Sequence, residues 1–339
     1  MTFVSETEDR ERLPVALLTG FLGSGKTTLL NVLLQDPRMA ETAVAINEFG
    51  AVPLDQHLIA HGEDQTVVMA NGCLCCNLAG DLEDAVMRVF SRRQSGELPH
   101  FSRLIVEPSG LADPAPIAQA ILRNPLMARV LRLDRIVAVV DALFGERQLR
   151  EHPECSKQIA LADRIVLTKT DMVETDAPLR EQLAMLNPLA PVFDVRHGAI
   201  DPANLFSAHF LDMRRTPLPD LPQPTLREPI PHVHHHGADV HAVALTHDRA
   251  LNWTLFESWL RRCRLGWADR LLRVKGIVDI GGRPVVIQGV HHVLHPPVEL
   301  DAWPDADRRS RLVMIVRGVD ASEIRSGWKA LQQVGEQVR

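Results

Sequence analysis

Two short segments carry residue types whose spacing does chemistry. The first is GFLGSGKT, Gly20 to Thr27, which fits the pattern G-x-x-x-x-G-K-[S/T] in full. Backbone N–H groups of Gly23, Gly25 and Lys26 can point inward at phosphate oxygens, and a following helix N-terminus adds favourable potential. Lys26 would reach the β- and γ-phosphates, and the Thr27 hydroxyl suits Mg²⁺. Gly20, Ser24 and Thr28 complete the candidate nucleotide-binding set. The second segment is NGCLCC, Asn71 to Cys76, which puts Cys73, Cys75 and Cys76, three of the chain's five cysteines, into four positions. Three thiolates suit Zn²⁺, at about 2.3 Å per sulfur. Co²⁺ and Cu⁺ are also admitted, whereas Mg²⁺ and Ca²⁺ prefer oxygen. A fully extended strand would splay Cys75 and Cys76, so a turn must converge them, and Asn71-Gly72 is a turn signal. A structural zinc site usually takes four protein ligands. Three leave the fourth position open or borrowed, which suits an ion that must leave. Small buried hydrophobes and a redox pair are the competing readings of these cysteines.

Other residues fall where such a loop needs partners. LIVEPSG, Leu104 to Gly110, reads as a buried strand ending in Glu107, a carboxylate able to order a Mg²⁺ shell or the attacking water. Ser109-Gly110 would let the backbone approach a γ-phosphate. LTKTD, Leu167 to Asp171, follows another strand. The Asp171 carboxylate can accept from guanine N1–H and N2–H₂, a donor pair that adenine lacks, and the Lys169 stem can pack along the base. Thr168 stands where the commoner form of this motif has Asn. Asp141 also ends a strand and is assigned no role.

The elements that must position these residues alternate. Apolar runs Val15–Thr19, Thr42–Ile46, Arg103–Val106, Arg135–Val140 and Arg164–Leu167 read as strands, with helical patterns at Leu29–Leu34 and Asp81–Phe90. This alternation predicts an α/β, doubly wound, mostly parallel sheet with ligands at the strand ends. Ala45 to Gln56, with Asn47, Glu48 and Gly50, is a candidate switch between phosphate loop and thiols, Gly50 permitting a large backbone change. RRTPLPDLPQPTLREPIP is proline-dense and reads as a linker, followed by His232, His234, His235 and His236, which can hold Zn²⁺, Co²⁺ or Ni²⁺ weakly or form a solvated loop. The expected organisation is a nucleotide domain over 1–213, a Pro/His-rich linker over 214–238 and a smaller α+β domain over 239–339. In the last, Gly281-Gly282 signals a hairpin, Trp253–Cys263 and Ser322–Val334 read as helices, and Trp259 and Trp267 as core. His291, His292 and His295 form a second candidate metal cluster, although strand alternation would separate the first two.

Totals narrow the function classes. The 339 residues suit roughly two domains, and 45% hydrophobic residues let each bury a core. A formal charge of −6 gives no global basic field, against nucleic acid as partner. No apolar run approaches the ~20 residues of a membrane span, and the polar, acidic N-terminus lacks a secretory core. The expected compartment is the cytoplasm, where clustered thiols point to metal or redox chemistry. A homo-oligomer is compatible with the sequence.

Taken together and in order, GFLGSGKTT, NEFG, NGCLCC, VEPSG and TKTD resemble the CobW family of P-loop GTPases, metallochaperones or metalloenzyme maturation factors. LLRVKGIV, Leu271 to Val278, and VVIQGVHH, Val285 to His292, look like that family's C-terminal domain. The resemblance implies a GTPase that binds zinc or a similar ion at Cys73, Cys75 and Cys76 and delivers it to a client metalloprotein. It carries Lys26 and Thr27 to phosphate and Mg²⁺, and Lys169 and Asp171 to guanine. Many relatives follow NEFG with a glutamate; Ala51 stands here, so an accessory carboxylate contact at that position is lacking.

Overall fold

The computed structural model describes residues 3–46, 68–70, 90–97, 99–173, 177–196, 198–206 and 240–337. The switch candidates Asn47, Glu48 and Gly50, the cysteines Cys73, Cys75 and Cys76, the linker and His232, His234, His235 and His236 lie outside the described residues. Two compact units are present, one built mainly from the N-terminal part of the chain and one mainly from the C-terminal part.

The chain opens with β1 (Val4–Ser5) and a short helix α1 (Glu6–Glu11), then enters β2 (Leu13–Thr19). The phosphate loop leads into α2 (Lys26–Leu34), and β3 (Thr42–Ile46), β4 (Val68–Ala70) and β5 (Arg103–Glu107) follow. Next come α3 (Pro114–Arg123), β6 (Leu131–Asp141), α4 (Gly145–Glu151), α5 (Pro153–Leu161), β7 (Arg164–Thr168) and β8 (Val192–Asp194). The sheet order is β4-β3-β5-β2-β6-β7-β8, and every pairing is parallel. Strands buried on both faces read as continuous apolar runs, as in β2, β6 and β7, nearly all of whose residues are buried. The sequence expectation for β6 began at Arg135; the strand starts earlier, at Leu131, because Leu131, Arg132 and Leu133 already pair with Leu13, Pro14 and Val15 of β2, and Arg135 within it is buried, 1% exposed, beside Asp134. Burial disfavours its charged form and lowers its pKa.

The C-terminal unit holds the antiparallel strands β9 (Val240–His247), β10 (Leu271–Ile280), β11 (Arg283–Val290), β12 (Val293–Leu294), β13 (Val298–Glu299) and β14 (Ser310–Arg317). β10 and β11 form a hairpin whose turn residues Gly281 and Gly282 have φ of 61° and 91°, the left-handed pair a two-residue turn requires. Two helices, α6 (Trp253–Trp267) and α7 (Ala321–Gln337), cover one face. Asn252 caps α6 by accepting from Leu255 N–H. Trp259 and Trp267 are core, as expected, and Trp259 meets Trp328 edge-on at 5.2 Å. β1 joins this sheet, pairing parallel with β13, and Phe3 packs on Trp253 at 4.7 Å. No helix among the described residues is long and apolar enough to cross a membrane.

Candidate nucleotide site

The candidate site gathers at the C-terminal ends of β2, β5, β6 and β7, where a parallel sheet leaves its crevice. The phosphate loop runs from Gly20 to Lys26 between β2 and α2. Its shape needs glycine: a Cβ at Gly20 would lie 2.2 Å from Val139 O, and Gly23 and Gly25 have φ of 73° and 91°. Ser24 N–H donates to Phe21 O at 3.2 Å, closing the loop's turn, and Leu29 N–H donates to Gly25 O, starting the helical ladder. Lys26 is 8% exposed and donates from Nζ to Gly20 O at 3.0 Å and Phe21 O at 3.3 Å. A buried ammonium is costly unless hydrogen-bonded, and here the loop's own carbonyls hold it under the loop.

Across the loop stands the strand-terminal acid. Thr27 Oγ1 donates to Glu107 Oε1 at 2.8 Å, and Glu107 is 4% exposed at the end of β5. The sequence named both residues, and the fold brings them together from 80 positions apart. Their donor set is hard oxygen, which fits Mg²⁺ and not a soft ion. Beyond Glu107 the backbone turns at Ser109-Gly110, with Ala112 N–H donating to Ser109 O at 2.9 Å. Gly110 presses on the phosphate loop so closely that a Cβ would meet Leu22 N at 2.6 Å.

On the other flank, Thr168 ends β7, 7% exposed, and donates from Oγ1 to Ser24 O at 2.7 Å, with Val140 O at 3.2 Å. Threonine in the usual asparagine position therefore still ties this strand end to the phosphate loop. Lys169 follows in the left-handed conformation, φ 58°, an uncommon state for a side-chain-bearing residue and typical of functional loops. Its Nζ donates to Gly23 O at 2.9 Å and to Asp141 Oδ2 at 2.5 Å. Asp171 lies in the exposed turn Thr170–Met172 that Lys169 opens.

Two residues in this constellation had no role in the sequence reading. Asp141 is fully buried; its Oδ1 accepts from Leu143 N–H at 2.8 Å and Phe144 N–H at 3.3 Å while its other oxygen holds Lys169. The clue was its place opposite Thr168 in the β6–β7 register, which requires the pairing of strands to be known. Gln158 on α5 is 2% exposed and donates from Nε2 to Gly110 O at 3.1 Å and Ala112 O at 3.2 Å. A glutamine on the face that also buries Cys155 and Ile159 was the available signal. Burial pushes the Cys155 thiol up to about 12, with Glu154 adding to the rise. In the C-terminal unit, His291 is buried with φ 51°, and His292 O accepts from Arg264 Nε–H. Among the described residues no group of three or more His, Cys, Asp or Glu side chains is placed to hold a metal, so the second histidine cluster does not form one.

Comparison with known proteins agrees with this geometry. Residues 14–194 match the CobW/HypB/UreG nucleotide-binding domain, and residues 240–332 match the cobalamin synthesis protein cobW C-terminal domain. The zinc chaperone YjiA of Escherichia coli is 32% identical over 323 residues, spanning 95% of this chain and 99% of that protein. The zinc-regulated GTPase metalloprotein activator 1 of Schizosaccharomyces pombe is 32% identical over 198 residues, 56% of this chain and 47% of that one. The crystal structure of the Zn(II)-bound YjiA GTPase from E. coli superposes with a TM-score of 0.70 at 29% identity, covering 94% of this chain and 99% of that one. Both domain matches fall in the expected order along one chain, and the likeness to YjiA runs nearly end to end: the chain belongs to the CobW family of P-loop proteins.

Proposed function

We propose that this chain is a GTP-hydrolysing metallochaperone that binds zinc, or a similar transition metal such as cobalt, at Cys73, Cys75 and Cys76 and delivers it to a client metalloprotein. The observation that carries the nucleotide half is the Thr27–Glu107 pair, 2.8 Å apart beneath a complete phosphate loop. Lys26 exchanges the carbonyls of Gly20 and Phe21 for phosphate oxygens when the nucleotide enters. Gly20, Gly23, Ser24, Gly25 and Thr28 line the phosphates, and Gly110 faces the γ-phosphate. Thr168 and Lys169 shape the base side, and Asp171 reads guanine through its carboxylate. The hydroxyl of Thr27 and, behind it, the carboxylate of Glu107 would hold Mg²⁺, which when bound would neutralise charge on the phosphate oxygens. Glu107 orders the water that attacks the γ-phosphorus; a bond forms from that water's oxygen to phosphorus as the bond from phosphorus to the β–γ bridging oxygen breaks, and one of the water's protons passes to a phosphate oxygen, leaving GDP and phosphate. Likeness to the zinc chaperone YjiA and the donor chemistry of three thiolates support the metal half. His232, His234, His235 and His236 are assigned a weak capture role on the linker at 214–238.

A second reading, activation of one dedicated metalloenzyme, is favoured by the likeness to the zinc-regulated GTPase metalloprotein activator. Metal selectivity and capture of the client separate the two. The test of the common part is turnover and metal content. GTP hydrolysis should be measurable and should be lost in Lys26→Ala. Protein purified anaerobically without a tag should carry zinc or cobalt, and Cys75→Ser should not. A chain with no turnover, or a Cys75→Ser variant with undiminished metal, would remove this reading.

A further inference from the structure

We propose that Gln158 is a positioning residue for the γ-phosphate, holding the Ser109–Ala112 turn so that the Gly110 N–H stays aimed at the phosphate loop. This rests on the reading of the site as a GTPase site. The turn is gripped from two sides. On one, Gly110 sits against Leu22 with no room for a side chain. On the other, the Gln158 amide donates both hydrogens, to Gly110 O at 3.1 Å and to Ala112 O at 3.2 Å. A primary amide has two N–H groups, and here both are spent on carbonyls two residues apart in one turn. The Gly110 N–H shares its peptide plane with Ser109 O, which accepts from Ala112 N–H at 2.9 Å, and Gln158 holds the next carbonyl, Gly110 O, and that of Ala112, so the turn around that plane is pinned.

The side chain comes from α5, whose Cys155 and Ile159 line the same space as Gly20 and Phe21 of the phosphate loop. α5 buries Cys155, Ile159 and Leu161, an apolar face in which glutamine has no packing advantage. Burying an amide there is unfavourable unless its polar groups are satisfied. The partners it has are backbone carbonyls of the turn that follows Glu107. Neighbouring Lys157 pairs with Asp113 at 3.3 Å at the far end of the same turn, but both side chains are about a third exposed, so that contact adds little. Backbone donors aimed in advance at developing phosphate charge act without reorganisation at the moment of reaction. Gln158 supplies that pre-aiming from outside the phosphate loop.

The prediction is specific to the third phosphate. Gln158→Met keeps the length and apolar contacts of the side chain and removes both donors. Its affinity for GDP should stay within about twofold of wild type, while its affinity for a non-hydrolysable GTP analogue and its kcat each fall at least about tenfold. Lys157→Met should match wild type in all three. Equal loss of GDP and GTP-analogue affinity, or no change in either, would overturn the role. If Gln158→Met fails to fold, crystals of the wild type with GDP and with the analogue decide. Gly110 N should contact the γ-phosphate with both Gln158 bonds intact, and a Gln158 amide turned away in the analogue complex would overturn it. A wild-type protein that neither binds nor hydrolyses GTP would remove the underlying site reading, and with it this inference; wild-type turnover with an indifferent Gln158→Met would remove the inference alone.

Discussion

Replacing Asp141 by Asn tests how the base side of the site is held. Asn keeps an acceptor oxygen where Oδ1 takes Leu143 N–H and Phe144 N–H. It replaces Oδ2, 2.5 Å from the Lys169 ammonium, with an NH₂ group, so donor faces donor. A hydrogen bond to a charged group is worth about 1.5–3 kcal/mol, and breaking a buried ion pair costs about 3–5 kcal/mol. Asp141 is wholly buried, but the Lys169 side chain is 33% exposed and can recover some hydration. The expected loss is therefore near the lower figure, about 2 kcal/mol. Lys169 is also tied to Gly23 O, so freeing it loosens the phosphate loop and the base pocket together. GDP affinity should fall about 10- to 30-fold, the equivalent of about 1.4–2 kcal/mol. Fluorescence titration with a labelled GDP measures that, and denaturant unfolding of the nucleotide-free protein measures the stability share. Affinity within twofold of wild type together with an unchanged midpoint would show that Lys169 is not held by Asp141 in any way that matters.

Further perturbations probe the rest. Thr27→Ala and Glu107→Gln should each lower kcat by at least about 100-fold and raise the Mg²⁺ concentration needed for half-maximal rate, seen in steady-state hydrolysis across a Mg²⁺ series. Deleting residues 1–6 removes β1 from β13 and Phe3 from Trp253, and should destabilise the C-terminal unit by about 1–3 kcal/mol in chemical unfolding. Burial raises the thiols of Cys155 and Cys263 from 9.0 to about 12. At pH 8 a thiol reagent should thus spare these two in the folded, metal-free protein, modify Cys73, Cys75 and Cys76, and reach all five only in denaturant. The same shift has a sign: the folded thiols hold their protons more tightly than unfolded ones, so their contribution to stability is intact below pH 9 and declines as pH rises from 9 toward 12.

The legible part of this molecule is local. The phosphate loop announces itself because its glycines, lysine and threonine are contiguous, and Glu107 does so because a carboxylate ends an apolar run. Five strands of the parallel sheet were visible as apolar stretches, the three-residue edge strands β4 and β8 were not, and Gly281-Gly282 marked the β10–β11 hairpin. Residues whose roles arise only from pairing were not visible. Asp141 needed β6 set beside β7, and Gln158 needed α5 set against the turn after Glu107. β1 is two residues long with its partner near the other end of the chain, and no local pattern marks so short a strand. The histidines at 291, 292 and 295 looked like a cluster in sequence, but the backbone reverses at His291 and buries that ring.

The proposed delivery of metal requires that nucleotide and metal share one equilibrium through the segment from Asn47 to Cys76. Zinc titrations of the wild-type protein in GDP and in a non-hydrolysable GTP analogue test it directly. Coupling between linked sites is typically about 1–3 kcal/mol, so zinc affinity should differ by about 5- to 150-fold between the two states, and zinc should shift the preference for GTP over GDP by that same factor. Equal zinc affinities in both nucleotide states would contradict the account.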